Sequence, residues 1–150
     1  MSSLATHYAA RDIEARILAA LRAAGLNPDQ RLSPDDLAAL DHFHTGGLRA
    51  SRELLEVVPI RAGDRVLDIG AGLGGSARML AATVGCRVDC IDMSPDYCAG
   101  AALLNRLTGL EDRIKVHQGS ALDLPFQENS FDVVWMQNVG MNIADKRGLY

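Results

Sequence analysis

Residues 66–80 read VLDIGAGLGGSARML, a short apolar run that ends in an acid and opens into glycines. Gly70, Gly72 and Gly75 are spaced G-x-G-x-x-G, and Asp92 follows twenty residues after Gly72. Glycines allow a tight turn and close approach of a ligand to the backbone. A helix starting near Gly75 offers N–H groups to an anion. Taken alone, the pattern fits a dinucleotide-binding loop.

Asp68 argues against that ligand. A pyrophosphate near its carboxylate would meet like charge in a partly desolvated site. At ~4 Å and an effective dielectric of about 20, the repulsion is on the order of 4 kcal/mol. A ligand with an ammonium group reverses the sign. S-adenosyl-L-methionine carries an ammonium, a carboxylate, a sulfonium, a ribose and an adenine, and no phosphate. Its ammonium is expected near Asp68, and its carboxylate near the N–H groups of Gly70, Ala71, Gly72 and Gly74. Asp92 is placed to accept the ribose hydroxyls, since a carboxylate takes two O–H donors well. Met93 is a candidate for the adenine face. Gln137 and Asn138 end another apolar run, where ligands of open α/β sheets collect. Gln137 is expected beside the transferable methyl, and Asn138 beside the acceptor. His42 and His44, two apart and next to Asp41, are weak ligands without a third protein donor, so no metal is expected.

The elements that position these residues follow from periodicity. RDIEARILAALRAAG has the spacing of an amphipathic helix, with Gly25 as its stop. Ser33, Pro34, Asp35 and Asp36 read as an N-cap and first turn. LRASRELLEVV returns to helical period and Pro59 ends it. From there strands and helices alternate: RVLDIG, CRVDCID, DRIKVHQGS and FDVVWMQN as strands, with helices after the first and second. Nearly continuous apolar strands alternating with helices indicate a parallel sheet. The expected class is α/β, a Rossmann-like doubly wound sheet. Residues 1–60 are expected to form an N-terminal helical cap and 61–150 the cofactor-binding half.

Composition narrows the partners. The 150 residues are 48% hydrophobic with a net charge of −4 and no basic cluster. No nucleic-acid or membrane partner is expected. Cys86, Cys90 and Cys98 form no C-x-x-C, which suits a reducing compartment and a cytoplasmic location.

The motifs also resemble a family. VLDIGAGLGG is similar to the first motif of class I S-adenosylmethionine-dependent methyltransferases, VDCIDMSPDY to their second-strand motif, and GSALDLPFQENSFDVVW to their adenine loop and fourth strand. The resemblance runs from about Asp41 to Ile143. FHTGGLRAS and VWMQN align it with small-molecule methyltransferases of the sarcosine/dimethylglycine, quinone and sterol kinds. It implies transfer of a methyl group to a small-molecule acceptor by in-line displacement. It implies that Thr45 and Gly46, with Gly47, close over the methionine end. Ser120 and Ala121 fall where that family has an acid and an alanine for the adenine, and Leu122 would add an apolar or backbone contact. Asn142 stands where many relatives have histidine, so no general base is assigned, and Asn142 is a substrate-side candidate. The resembled fold has seven strands, the first four in the order 3-2-1-4. Only four are visible here, so further C-terminal strands or a second chain are expected to complete the sheet. The competing readings are an NAD(P)-dependent oxidoreductase using the same loop and a non-catalytic cofactor-binding subunit.

Overall fold

A computed structural model describes the backbone of residues 3–42 and 44–150, and side chains from residue 12 onward except at position 43. Position 43, part of the FHTGGLRAS motif, therefore lies outside the described residues. Helix α1 (Ser3–Ala23) is followed by a short 3-10 turn (Asp35–Leu37), α2 (Ala38–Asp41) and α3 (Gly47–Val57). Then come β1 (Arg65–Ile69), α4 (Gly75–Val84), β2 (Arg87–Asp92), α5 (Pro95–Thr108), β3 (Ile114–Gln118) and β4 (Val133–Trp135). A second 3-10 turn (Gly140–Asn142) and α6 (Lys146–Leu149) complete the chain.

The four strands form one parallel sheet in the order β3-β2-β1-β4. The chain winds outward through α4 and α5, then crosses back past β1 to place β4. That reversal creates a crevice at the carboxyl ends of β1 and β4, where such sheets bind ligands. Period-2 alternation sends side chains to both faces of the sheet, and β1 and β2 are buried on both. Val66, Val88, Cys90, Ile114 and Trp135 pack with Met79, Leu80 and Ala81 of α4, and Leu48, Leu54 and Leu55 of α3 flank that core. Leu67, Ile69 and Ile91 face the other way, beneath Phe126 and Phe131 of the β3–β4 connection. A third cluster joins Ile17 and Leu21 of α1 to Leu103 and Leu104 of α5.

Two elements are shorter than their patterns suggested. The helix expected after Ser33 is split into the 3-10 turn and the four-residue α2. Ser33 still acts at its start: its Oγ accepts the Asp36 N–H at 3.2 Å, and Asp36 Oδ2 accepts the Ser33 N–H at 2.9 Å. Strand β4 keeps three residues of the expected FDVVWMQN. It pairs only with β1, and Asn138, at φ 58°, turns the backbone out of the strand direction. Val134 is 61% exposed on its face of the sheet.

Helix α5 begins with a complete cap. Ser94 Oγ accepts the Tyr97 N–H at 3.2 Å, Pro95 occupies the first turn, and Gly109 ends the helix at φ 64°. Ser94→Ala is expected to cost about 1 kcal/mol. Urea unfolding should show a lower midpoint with an unchanged slope.

Candidate functional site

Three positive-φ glycines, Gly70 (68°), Gly72 (55°) and Gly74 (80°), carry the chain from β1 into α4. Gly74 is the helix N-cap, and Gly75 is already helical. The G-x-G-x-x-G spacing therefore marked Gly75 for a conformation that Gly74 adopts. Gly75 serves packing instead: a Cβ there would lie 2.7 Å from both the Asp41 carbonyl oxygen and the His42 ring.

The loop is held by β2. Ile91 O accepts the N–H groups of Gly70 (2.8 Å) and Ala71 (3.2 Å). Asp92 Oδ2 accepts the Gly72 N–H and Oδ1 the Ser94 N–H, each at 2.9 Å. Gly74 N–H goes to Ala71 O at 2.8 Å. The four loop N–H groups expected to meet a ligand carboxylate are thus bonded within the protein. Helix bonding starts with Arg78 N–H to Gly74 O, which leaves Gly75, Ser76 and Ala77 as the donors of the helix end.

Beside the loop lies a cavity of about 530 Å³. Of the residues singled out in the sequence, it brings together Gly70, Asp92, Met93, Ser120, Ala121, Leu122 and Asn142. Val139, Ile143 and Asp145 close its far side. Thr45, Gly46, Asp68, Ala71, Gly72, Gly74, Gln137 and Asn138 are not on this wall. Ser120 Oγ accepts the Leu122 N–H at 3.1 Å, so the hydroxyl hydrogen and one lone pair remain for a ligand. Met93 is 72% exposed at the rim. Val139 lies on the α-carbon of Gly70, and a Cβ there would fall 2.4 Å from its Cγ2.

Asp68 sits under the loop rather than at its mouth. It is 3% exposed, and its Oδ2 has no hydrogen-bond partner among the described residues. Strand alternation sends it to the α4 side of the sheet, between Cys90 and Trp135 in the pairing register. The Trp135 indole N–H is likewise buried without a partner among the described residues. Burial, with the nearby Asp92 charge, pushes the Asp68 carboxyl up to about 7, and Arg78 opposes the shift.

A polar cluster gathers the cap residues. Gly46 is the left-handed N-cap of α3, and Gly47 N–H closes the Thr45 turn on His44 O at 3.0 Å. Ser51 donates to Gln137 Oε1 at 2.9 Å and meets His44 Nε2 at 3.2 Å. Ser76 donates to the same Gln137 oxygen at 3.4 Å. Gln137 therefore lies between α3 and the first turn of α4. Arg78, Ser51 and Val139 were not singled out from the sequence. Two signals were available: a lone cation in the apolar helix GGSARMLAATV, and a serine on the Leu48–Leu55 stripe. Among the described residues, no group of three or more His, Cys, Asp or Glu is arranged to hold a metal. No helix there is long and apolar enough to cross a membrane.

A family model described as a methyltransferase domain matches residues 66–149. The chain belongs to this methyltransferase-domain family. The match starts inside β1 and includes the loop, Asp92, the cavity and β4. Among curated methyltransferases, the chain is similar to the glycine/sarcosine/dimethylglycine N-methyltransferase of Actinopolyspora halophila, 41% identical over 68% of this chain and 18% of that protein. It is also similar to the sarcosine/dimethylglycine N-methyltransferase of Aphanothece halophytica, 42% identical over 57% of this chain and 31% of that one. The chain thus spans a third or less of these relatives' lengths. Among solved structures, Haemonchus contortus phosphoethanolamine N-methyltransferase 2 in complex with S-adenosyl-L-methionine matches with a TM-score of 0.63. Identity there is 32%, covering 69% of this chain and 24% of that one. The methyltransferase fold is therefore the Rossmann-like sheet expected from the strand pattern.

The Asp68 shift sets a pH dependence. Between its ordinary value of 3.8 and about 7, the folded chain keeps a proton that the unfolded chain has lost. Stability should therefore fall as pH rises through that window and level off above it. Asp68→Asn should flatten the slope, and relative to wild type its gain should approach the order of 4 kcal/mol above pH 7. Urea titrations at pH 4.5, 6 and 8 check it; parallel curves for the two proteins would refute it.

Proposed function

We propose that the chain binds S-adenosyl-L-methionine and forms the cofactor half of a small-molecule methyltransferase, with residues 1–60 as its cap and 61–150 as its binding half. The observation that carries this reading is the pair of carboxylates around the loop. Asp92 faces the cavity and Asp68 lies buried beneath the glycines. A pyrophosphate would meet the Asp92 carboxylate and would further disfavour the ionised form of Asp68, whereas a cationic ligand is attracted by Asp92 and favours ionisation of Asp68. The same feature counts against the oxidoreductase reading.

The residues suit the proposed cofactor. Each Asp92 oxygen accepts one backbone N–H and retains a lone pair for a ribose hydroxyl. Ser120, Ala121, Leu122 and Met93 provide a largely apolar wall with one hydroxyl, fit for a purine. Thr45, Gly46, Asp68 and Gln137 are assigned to the methionine end, with Ala71, Gly72 and Gly74 as the turn beneath it. When bound, S-adenosyl-L-methionine supplies an electrophilic methyl group. The protein's task is to align the acceptor and exclude water.

Asn138 and Asn142 are assigned to the acceptor side. Among the described residues, the titratable groups on the cavity wall are Asp92 and Asp145, and both are engaged, Asp145 by the Gly148 N–H at 2.9 Å. An amine acceptor already has a free lone pair, whereas an oxygen or carbon acid needs a base to remove its proton. Three free cysteines, two of them buried, support a cytoplasmic setting. Among the described residues β4 ends the sheet and pairs with β1 alone, and its open edge supports a further strand joining there, from additional C-terminal strands or a second chain.

Calorimetry with S-adenosylhomocysteine and with NAD tests the reading. S-adenosylhomocysteine should bind, and at a hundred times its dissociation constant should stabilise the fold by about 2.7 kcal/mol. Tighter binding of NAD would overturn the assignment. Within it, Asp92→Ala should weaken binding by about 1–3 kcal/mol, and Asp123→Ala, an acid of the β3–β4 connection off the cavity wall, by much less. Equal losses would remove Asp92 from the ribose role.

A further inference from the structure

Arg78 is fully buried, and its guanidinium holds three segments at once. Nη2 meets Asp41 Oδ2 at 2.7 Å and donates to Leu73 O, while Nη1 donates to Asn105 Oδ1 at 2.8 Å. Asp41 ends α2 in the cap, Leu73 belongs to the glycine loop, and Asn105 lies on α5. Asp41 spends its other oxygen on His42 Nδ1 at 2.6 Å. The side chains of this ion pair are 0% and 1% exposed.

Stability alone does not account for such a pair. Burying two charges costs several kcal/mol per ion before their attraction is counted, and well-packed apolar replacements are often neutral or better. What an Arg fork supplies is fixed geometry, because its donors are planar and rigid. Here that geometry sets where the cap backbone rests. Gly75 adds to it, since the missing side chain lets Asp41 O and the His42 ring sit on the first turn of α4. Thr45 and Gly46 follow within five residues of Asp41, and Ser51 ties the far side of the turn to Gln137.

The cap side of the clamp lies off the adenosine cavity. The cavity assigned to the adenosine part carries no described residue earlier than Gly70 on its wall. We propose that Asp41 and Arg78 are positioning residues that dock the Thr45–Gly47 turn for the amino-acid end of the cofactor, without touching the ligand and without acting on its adenosine end. This rests on the S-adenosyl-L-methionine reading above.

Two ligands separate the ends. S-adenosylhomocysteine has the amino-acid part, and 5′-methylthioadenosine keeps the nucleoside and thioether without it. The double variant Asp41→Asn with Arg78→Met removes both charges, so that neither is left buried alone, and the amide oxygen put in place of the Asp41 carboxylate still accepts from His42. Its folding is followed by thermal melting and its affinities by calorimetry. S-adenosylhomocysteine should bind about ten-fold more weakly, while methylthioadenosine should change by less than about two-fold. Gly75→Ala is the second variant. It displaces the same cap backbone without altering any charge, and should give the same split. Equal weakening of both ligands would mark the pair as merely structural and overturn the proposal, as would unchanged S-adenosylhomocysteine binding. If wild type binds neither ligand, the cofactor reading fails and the proposal falls with it.

Discussion

The Asp92 carboxylate is the junction from which the rest of the site is built. Its two oxygens take the Gly72 N–H on one side and the Ser94 N–H on the other. One side chain at the end of β2 therefore fixes both the glycine loop and the entry to α5. Its backbone carbonyl extends the junction to β3 by accepting the Gly119 N–H at 2.9 Å. Charge-assisted bonds to a carboxylate are about twice as strong as neutral ones, and here they cross between separate segments. Without them, three strand ends would lose their common reference point.

That junction also clarifies the division of labour among the glycines. The loop's own N–H groups are consumed in holding its shape. Binding donors are left to the first turn of α4, and charge is left to two acids at different depths. Asp92 is engaged and reachable, whereas Asp68 is buried without a bond to Oδ2 among the described residues. A carboxyl that burial pushes up to about 7 is a counter-charge in waiting, and a cation arriving above it favours the ionised form. The glycine loop is the scaffold, and the buried acid supplies the preference for what it holds.

Most of this architecture was legible in the sequence because strand and helix periods are local. RVLDIG, CRVDCID and DRIKVHQGS differ from their strands only at the ends, and Ser94-Pro95 gave the start of α5 outright. Trp135 lies inside the expected strand FDVVWMQN and is core, being 3% exposed. Depth was the harder quantity. Asp68 looked like a residue at the loop mouth because sequence order ignores which face of β1 a side chain takes once α4 covers it. Asn138 resembled any strand-end amide, and nothing nearby marked the positive φ that shortens β4. Arg78 was invisible as a clamp because its partner Asp41 lies 37 residues away, outside any window of local pattern.

Those separations bear on how the molecule assembles. The polar ties between the N-terminal helices and the sheet half span 37 residues for Asp41–Arg78, 77 for Arg31–Thr108 and 86 for Ser51–Gln137. Closing long loops carries an entropic cost before any contact is gained, so chains rich in such pairings fold slowly. The β1–α4–β2–α5–β3 core closes over shorter spans, Val66 with Val88 and Val88 with Ile114, and is expected to form before the preceding helices dock on it. In the finished molecule those helices are expected to open as a unit before the sheet does, exchanging their amide hydrogens while the strands stay paired.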